Sequence, residues 1–180
     1  MNTALDLDAL NVAAPADFAA ALAPLFEGAP RFLARLAAGR PDADWPGLFA
    51  RARAVAHAMP EAEQVELIDA HPRLGAPPAT VSALSFREQG YDGDAAEGAA
   101  GVARTERQRV ADELERLNAG YEARFGFRYC VSVAGRPRSA LLAEMAAALD
   151  ADRESELHRA LDAVVDIALA RLPTLRGAAT

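Results

Sequence analysis

The 180-residue sequence contains no lysine, so all 19 basic side chains are arginine. An anion site in this chain that uses a permanently charged basic side chain must therefore use a guanidinium group, which can bind a carboxylate through two parallel hydrogen bonds. Acidic residues number 26, which gives a formal net charge of -7 at pH 7. This balance argues against a nucleic-acid partner, because nucleic-acid binding needs a basic face. It leaves room for a small anionic substrate held by a single buried arginine.

The sequence has only one cysteine, Cys130, so no intramolecular disulfide can form. We therefore expect a reducing, cytoplasmic compartment. No apolar run approaches the roughly 20 residues needed to span a bilayer. The acidic first residues, Met1 to Asp8, lack the basic start of a signal peptide. We expect no membrane partner.

Several chemical motifs are also missing. Three histidines and one cysteine give no H-E-x-x-H or C-x-x-C spacing, so we expect no metal site. The sequence has no glycine-rich phosphate loop between a strand and a helix, and no serine in a G-x-S-x-G turn. These absences argue against common metal, phosphate-binding and serine-nucleophile chemistry.

Alanine-rich, arginine-rich segments with few β-branched runs favour helices over strands. We predict an all-α multi-helix bundle in one domain, 1–180, with residues 1–12 loosely ordered. Apolar periodicity predicts helices over 15–25, 31–38, 44–59, 61–70, 105–125, 139–149 and 153–172, and a short one starting near Ser85. Proline and glycine make 71–81 a loop, 92–101 looks like a flexible connection, and the alternating run 127–133 predicts a short extended segment.

His71 is the most informative single residue. Pro72 disfavours the helical conformation in the residue before it, so the ring can project from the helix end into a cleft. Its ordinary pKa lies near neutrality, which suits proton transfer. The alternative is a structural role at the helix C-terminus, and His71 alone favours that alternative. His57 and His158 lie within amphipathic helices and are interpreted as surface or packing residues.

The run Ser85-Phe-Arg-Glu88-Gln89 carries two interpretations. Ser-x-x-Glu is the pattern of a helix-capping box, and on spacing alone this structural interpretation is favoured. A helix start can also bind an anion through its free N–H groups. The amide of Gln89 both donates and accepts hydrogen bonds, which suits a urea-like ligand.

Four blocks together resemble the 2-oxo-4-hydroxy-4-carboxy-5-ureidoimidazoline (OHCU) decarboxylase family. His71-Pro-Arg-Leu-Gly75 is similar to the family's His-Pro-x-Leu/Ile-Gly motif, and Ser85-x-x-Glu88-Gln89 follows at a matching place. The other two blocks are Leu117-Asn118-x-x-Tyr121-x-x-x-Phe125-Gly-Phe127 and Glu156-Leu-x-x-Ala160-Leu through Val164, Ile167-Ala168 and Arg171-Leu172. The blocks occur in the family's order, from about residue 60 to residue 175.

The resemblance implies an all-α homodimer that decarboxylates OHCU to (S)-allantoin in urate degradation, without a metal or an organic cofactor. It implies that His71 and Glu88 are catalytic, and Glu88 could either fix the tautomer of His71 or bind the ureido N–H groups. It also implies that Arg171 binds the substrate carboxylate or its oxygens. Substrate contacts implied in the same way are Pro72, Ser85, Gln89, and backbone groups of Tyr129, Cys130 and Val131. The substrate's ring C=N bond can accept the electron pair left by CO2, so no cofactor is needed as an electron sink.

This sequence departs from the common family pattern at Arg73, at Gly90 to Gly93 and at Arg128 to Cys130. Two alternatives therefore stand beside the decarboxylase. One is a diverged paralogue that acts on a related carboxylated heterocycle. The other is a non-catalytic helical module that binds a ligand, although the combination of His71, Glu88 and Arg171 argues against it.

Overall fold

A computed structural model describes residues 5–91 and 101–177, with side chains described from residue 105 in the second range. These residues form helices and connecting loops, and no β-strand occurs among them. The helices are α1 Leu7–Val12, α2 Pro15–Leu22, α3 Pro30–Ala38, α4 Trp45–Ala58, α5 Glu61–Asp69, α6 Ala83–Glu88, α7 Gly101–Phe125, α8 Arg138–Ala148 and α9 Arg153–Arg176, with a 3₁₀ turn at Pro78–Thr80. Within the described ranges, no helix combines the length and the apolar character needed to cross a bilayer.

The chain divides into two compact units. The first unit contains the residues up to His71 and those from His158 onward, and the second contains Pro72–Leu157. The division falls inside α9, so this helix begins in the second unit and continues in the first. That the whole chain folds as one domain stays a prediction.

The first unit is built around an apolar core supplied by α2 to α5 and the second part of α9. Fully buried side chains are Phe18, Leu22, Leu25, Phe26, Leu36, Leu48, Leu67, Ile68, Leu161 and Val164. Phe26 packs edge-on against Phe32, with ring centroids 4.9 Å apart. Burial of apolar area on this scale is the main favourable contribution to folding.

An aromatic cluster forms much of the core of the second unit. The ring of Tyr121 lies 4.6 Å from that of Phe125, 5.8 Å from that of Phe127 and 5.1 Å from that of Tyr129, measured between centroids. The Tyr121 hydroxyl donates a hydrogen bond to the buried carboxylate of Glu156, 2.5 Å away. This bond satisfies two polar groups in an otherwise apolar region.

Most of the predicted helices are confirmed within one or two residues, because their start and stop signals are local. Asp44 caps α4 by accepting a hydrogen bond from the N–H of Gly47 at 2.7 Å. Helix α5 ends at Asp69, just before the His71-Pro72 pair, as the restriction on the residue before proline predicts. The all-α fold class is likewise confirmed.

The structure differs from the sequence prediction near both ends. Leu7–Val12 form helix α1, with Asp6 as its N-cap, whereas residues 1–12 were expected to be loosely ordered. Arg40 explains the order, because its Nη1 donates to the carbonyls of Leu10 and Ala13 at 2.6 and 2.8 Å. Helix α9 continues through Pro173 to Arg176, about a turn beyond the predicted end.

Two predicted connections need separate comment. Residues 127–133 follow α7 as irregular chain, and no strand pairing forms there. Of the predicted flexible connection at 92–101, residues 92–100 lie outside the described residues, and Gly101 begins α7.

Candidate active site

His71 lies two residues beyond the last residue of α5, and its ring is buried, with 4% of the residue exposed. Its backbone N–H donates to the carbonyl of Ile68 at 3.1 Å, and Nδ1 lies 3.3 Å from the carbonyl oxygen of Leu67. A carbonyl oxygen can only accept, so Nδ1 carries the proton in this contact. In the neutral ring, Nε2 then holds the lone pair. The helix-end contact predicted as the structural alternative is therefore present, and it also selects a basic tautomer.

The surroundings of His71 keep its ring neutral. The pKa of His71 is lowered from 6.5 to about 4. Burial is the larger cause, and the positive charge of the nearby Arg171 guanidinium acts in the same direction. The carboxylate of Glu27 and the Leu67 carbonyl act in the opposite direction. A buried imidazole loses its hydration when it is charged, which is why burial is the main cause. At neutral pH, His71 is able to accept a proton but has none to donate from Nε2.

Arg171 is buried and lies in the same unit as His71. Its Nη2 is 2.8 Å from Oε1 of Glu27, and Nη1 donates to the carbonyls of Pro24 and Leu25 at 3.1 and 3.4 Å. The side chains of Arg171 and Glu27 are 2% and 11% exposed. A buried guanidinium is tolerated when it has an opposite charge and hydrogen-bond acceptors, and both are supplied by the turn between α2 and α3.

In the second unit, a group of hydrogen bonds holds the loop that follows Pro72. The amide of Gln89 accepts from the N–H of Gly75 at 2.7 Å and donates to the carbonyl of Arg73 at 3.3 Å. Asn118 donates to the carbonyl of Leu74 at 3.0 Å. Gly75 has a φ of +81°, and a Cβ there would lie 2.9 Å from Leu114 Cδ1. The loop therefore needs glycine at this position.

Arg73, which departs from the common family residue, has a structural contact. Its guanidinium forms two hydrogen bonds with the carboxylate of Glu122 on α7, at 2.6 and 2.5 Å.

The side-chain amide of Gln89 uses both its oxygen and its nitrogen in hydrogen bonds to the loop after Pro72. Gln89 is predicted to bind substrate, and in the structure its amide also holds the His-Pro-x-Leu-Gly segment in place through these two hydrogen bonds.

The predicted capping box at Ser85 is wrong. Helix α6 begins at Ala83, and its N-cap is Ser82, whose Oγ accepts from the N–H of Ser85 at 3.2 Å. Ser85 itself lies inside the first turn and is buried. Both serines can cap a helix, and they lie three residues apart, so local spacing favoured the wrong one. Glu88 is the last residue of α6 and is half-buried.

The predicted substrate-binding segment after Phe127 is also in the second unit. Tyr129 and Cys130 are buried, and Val131 is half-buried. The ring of Tyr129 belongs to the aromatic cluster around Tyr121. Its ring therefore contributes to the core of this unit.

The structure thus brings His71 and Arg171 into one unit, and Pro72, Ser85, Glu88, Gln89 and the 129–131 segment into the other. Sequence reasoning missed Glu27 as a member of the first group. One signal was available: Arg171 lies on an apolar part of a helix, between Ala168 and Leu172, where a buried charge requires an acidic partner. The partner's position far along the chain gave no local pattern.

The other two histidines have the structural roles that the sequence indicated. The Nε2 atom of His57 lies 2.8 Å from Oδ1 of Asp162, and its ring centroid is 5.0 Å from that of His158. Arg53 shares Asp162, at 2.5 Å. In the part of the chain that the structure describes, no group of three or more His, Cys, Asp or Glu could hold a metal ion.

The family model of OHCU decarboxylase matches residues 11–173 of this sequence. The chain belongs to the OHCU decarboxylase family. A decarboxylase-family relative from Haloferax volcanii, named 2-oxo-4-hydroxy-4-carboxy-5-ureidoimidazoline decarboxylase, is 30% identical over 93% of this chain and 94% of its own length. The uric acid degradation bifunctional protein PucL of Bacillus subtilis is 32% identical over 84% of this chain, which spans 28% of that protein.

Two solved structures share the fold of this chain. One is OHCU decarboxylase crystallised in the presence of (S)-allantoin, with a TM-score of 0.64 and 18% identity over 86% of this chain and 96% of that one. Another is (S)-allantoin synthase, with a TM-score of 0.63 and 19% identity over 95% of this chain and 54% of that one. At these identities the likeness establishes the arrangement of helices rather than the site.

Proposed function

We propose that this chain decarboxylates 2-oxo-4-hydroxy-4-carboxy-5-ureidoimidazoline to (S)-allantoin in urate degradation, with no metal or organic cofactor. Membership of the OHCU decarboxylase family supports the reaction. The observation that carries the proposal in this chain is a buried, neutral His71 near a buried Arg171. A base and a cation in one apolar setting suit an anionic substrate that must lose CO2 and exchange a proton.

The proposed reaction breaks the bond between the ring carbon and its carboxylate, and CO2 leaves. The released electron pair forms a C=C bond to the adjacent ring carbon, the π pair of the C=N bond moves onto the ring nitrogen, and that nitrogen takes a proton from water. The resulting enol then loses its hydroxyl proton, and the adjacent ring carbon, which bears the ureido group, gains one. Because the substrate supplies its own electron sink, the enzyme has to orient the carboxylate and to deliver the proton to one face.

We assign the proton transfer to His71, acting first as a base. The Leu67 carbonyl favours the tautomer with a lone pair on Nε2, and the lowered pKa favours the neutral ring. In this scheme, Nε2 takes the hydroxyl proton and then returns it to carbon on one face. A positioned imidazole contributes roughly 10²- to 10⁴-fold to such a transfer.

The other predicted residues receive roles that suit their chemistry. Arg171 binds the substrate carboxylate or its oxygens, because guanidinium is the available basic group in a chain without lysine. Since the Leu67 carbonyl already orients His71, we assign Glu88 to the ureido N–H groups rather than to the imidazole. Remaining substrate contacts are proposed at Pro72, Ser85, the Nε2 group of Gln89, and backbone groups of Tyr129, Cys130 and Val131.

A stereochemical assay tests the function. Urate oxidase and the hydrolase that opens its product generate OHCU in the cuvette, and circular dichroism then follows the formation of (S)-allantoin. We expect rapid growth of the (S) signal with the wild-type chain and its loss with His71→Asn. His158→Asn is the matched control and should retain the activity, because His158 is an exposed residue.

The outcomes of this assay separate the alternatives. If folded wild-type protein yields only racemic allantoin, at the slow rate seen without enzyme, the decarboxylase proposal is overturned. That result would favour the diverged paralogue. Full activity of His71→Asn would overturn the assignment of the base while leaving the reaction in place.

We further propose that the enzyme works as a single-domain homodimer in the cytoplasm. The family resemblance supports the homodimer, and a single buried cysteine suits a reducing compartment. Light scattering coupled to size-exclusion chromatography tests the first, with the mass of one 19.0 kDa chain as the contradicting result. Cell fractionation tests the second.

A further inference from the structure

The ion pair between Glu27 and Arg171 lies in the same unit as His71, and its two side chains are almost entirely buried. Surface ion pairs elsewhere in this unit differ from it. The Arg35–Glu63 pair, for example, leaves 45% of the arginine side chain exposed. A buried pair is costly to desolvate, and hydrophobic replacements are often as stable. Its presence here therefore suggests a role beyond stability.

The backbone holds the carboxylate of Glu27 in a defined place. Glu27 has a φ of +50°, in the left-handed region, and Gly28 follows with a φ of +80°. The N–H of Gly28 donates to the carbonyl of Ala23 at 2.9 Å. Phe26, on the other side, is fully buried and packs on Phe32 and Phe49. A strained residue between two fixed neighbours is a common feature of functional sites.

Both members of the pair act on His71. The guanidinium of Arg171 lowers the pKa of the imidazole, and the carboxylate of Glu27 raises it. A buried guanidinium needs an opposite charge for structural reasons as well, so the effect of Glu27 on His71 is additional to its role in holding α9 to the turn. The charge of Glu27 matters because it offsets that of Arg171 in a region where solvent screens little.

We propose that Glu27 is a positioning residue of the decarboxylase reaction, which holds the Arg171 guanidinium in place and offsets its charge beside His71. This inference rests on the proposed function. The carboxylate loses its negative charge as CO2 departs. A cation whose charge is not offset therefore stabilises the reactant more than the transition state. By sharing Arg171 with the substrate, Glu27 limits that stabilisation of the reactant and keeps His71 basic.

Three variants test the proposal. Glu27→Gln keeps the size and removes the charge, Glu27→Asp keeps the charge and shortens the reach, and Glu63→Gln removes the carboxylate of the exposed pair as a matched control. We expect kcat of Glu27→Gln to fall by about tenfold or more, because Arg171 then binds the reactant more strongly and His71 becomes a weaker base, while KM does not rise. Glu27→Asp should retain more of kcat, and Glu63→Gln should match the wild type.

Inhibition by acetate, a simple carboxylate, gives a second measurement. We expect acetate to inhibit Glu27→Gln more strongly than the wild type, since Arg171 is no longer offset. A purely structural role predicts the reverse, with a raised KM and weaker inhibition. Circular dichroism establishes that each variant is folded. If Glu27→Gln does not fold, the comparison between Glu27→Asp and the wild type decides: a lower kcat without a raised KM supports the proposal, and either unchanged kinetics or a raised KM with weaker acetate inhibition overturns it.

The results distinguish this inference from the proposed function. An active wild type together with a folded Glu27→Gln that has wild-type kcat and acetate inhibition would overturn the role of Glu27 alone. A wild type that forms no (S)-allantoin would overturn the proposed function, and this inference with it.

Discussion

The buried imidazole of His71 should make the stability of the folded chain depend on pH. Burial lowers the pKa of His71 from its ordinary value of 6.5 to about 4 in the folded state. Above pH 6.5 both states are neutral at this site. As the pH falls from 6.5 towards 4, the unfolded chain takes up a proton that the folded chain does not, so the free energy of unfolding decreases. The full difference is about 3 kcal/mol, at roughly 1.4 kcal/mol for each pKa unit.

Urea unfolding at pH 7 and pH 5 measures this effect. Between these two values the contribution of His71 falls by about 2 kcal/mol. His71→Gln removes it, so the variant should lose that much less stability over the same interval. Other titrating groups affect both proteins and cancel in the comparison.

The chain has only three histidines, so nitrogen-15 NMR of the imidazoles can follow each ring. We expect one ring, absent in His71→Gln, to stay neutral down to about pH 4, with its proton on Nδ1. A His71 signal that titrates near 6.5, or an equal pH dependence of stability in the wild type and His71→Gln, would refute the reasoning about burial and tautomer.

Three further predictions concern stability. Gly75→Ala should lower the free energy of unfolding by about 1–2 kcal/mol in a urea titration, because an alanine there is held at a φ of +81°, and an unchanged midpoint would contradict this. Ser82→Ala should cost about 1 kcal/mol and speed amide exchange at Ser85, whose N–H it caps; unaltered exchange would mean that the cap lies elsewhere. Tyr121→Phe should cost about 2 kcal/mol in thermal or urea unfolding by removing the hydrogen bond to buried Glu156, and a cost near zero would place that bond outside the folded state.

The helices could be predicted from the sequence because their signals are local. Apolar periodicity, Asp44 as a cap and Pro72 as a stop act within a few residues of one another. The errors also have local causes. At the start of α6, two serines with equal capping ability stand three residues apart, and the choice depends on burial of Ser85, which sequence alone does not reveal.

The site was predictable only in part, for a different reason. Motif resemblance predicted His71 and Arg171 as site residues, and the structure places both in one unit, but the acceptor for the ring is the backbone carbonyl of Leu67, which has no sequence signature. Glu27 forms an ion pair with Arg171, but the two residues lie near opposite ends of the sequence, so no local pattern links them. Gln89 shows a third limit: its chemistry suited a substrate contact, while the structure uses much of its amide to hold the loop.

The discontinuity of the first unit has a consequence for synthesis on the ribosome. Helices α1 to α5 emerge first, yet their core is completed by residues from His158 onward. Until that segment is made, the turn at Glu27 lacks the guanidinium that it binds, and Trp45 lacks the stacked cation of Arg176. Domains usually fold in the order in which they are made. Here the second unit, which is one continuous stretch of sequence, is fully synthesised before the first. Helices α1 to α5 are made earliest, but the residues that complete their core are made last.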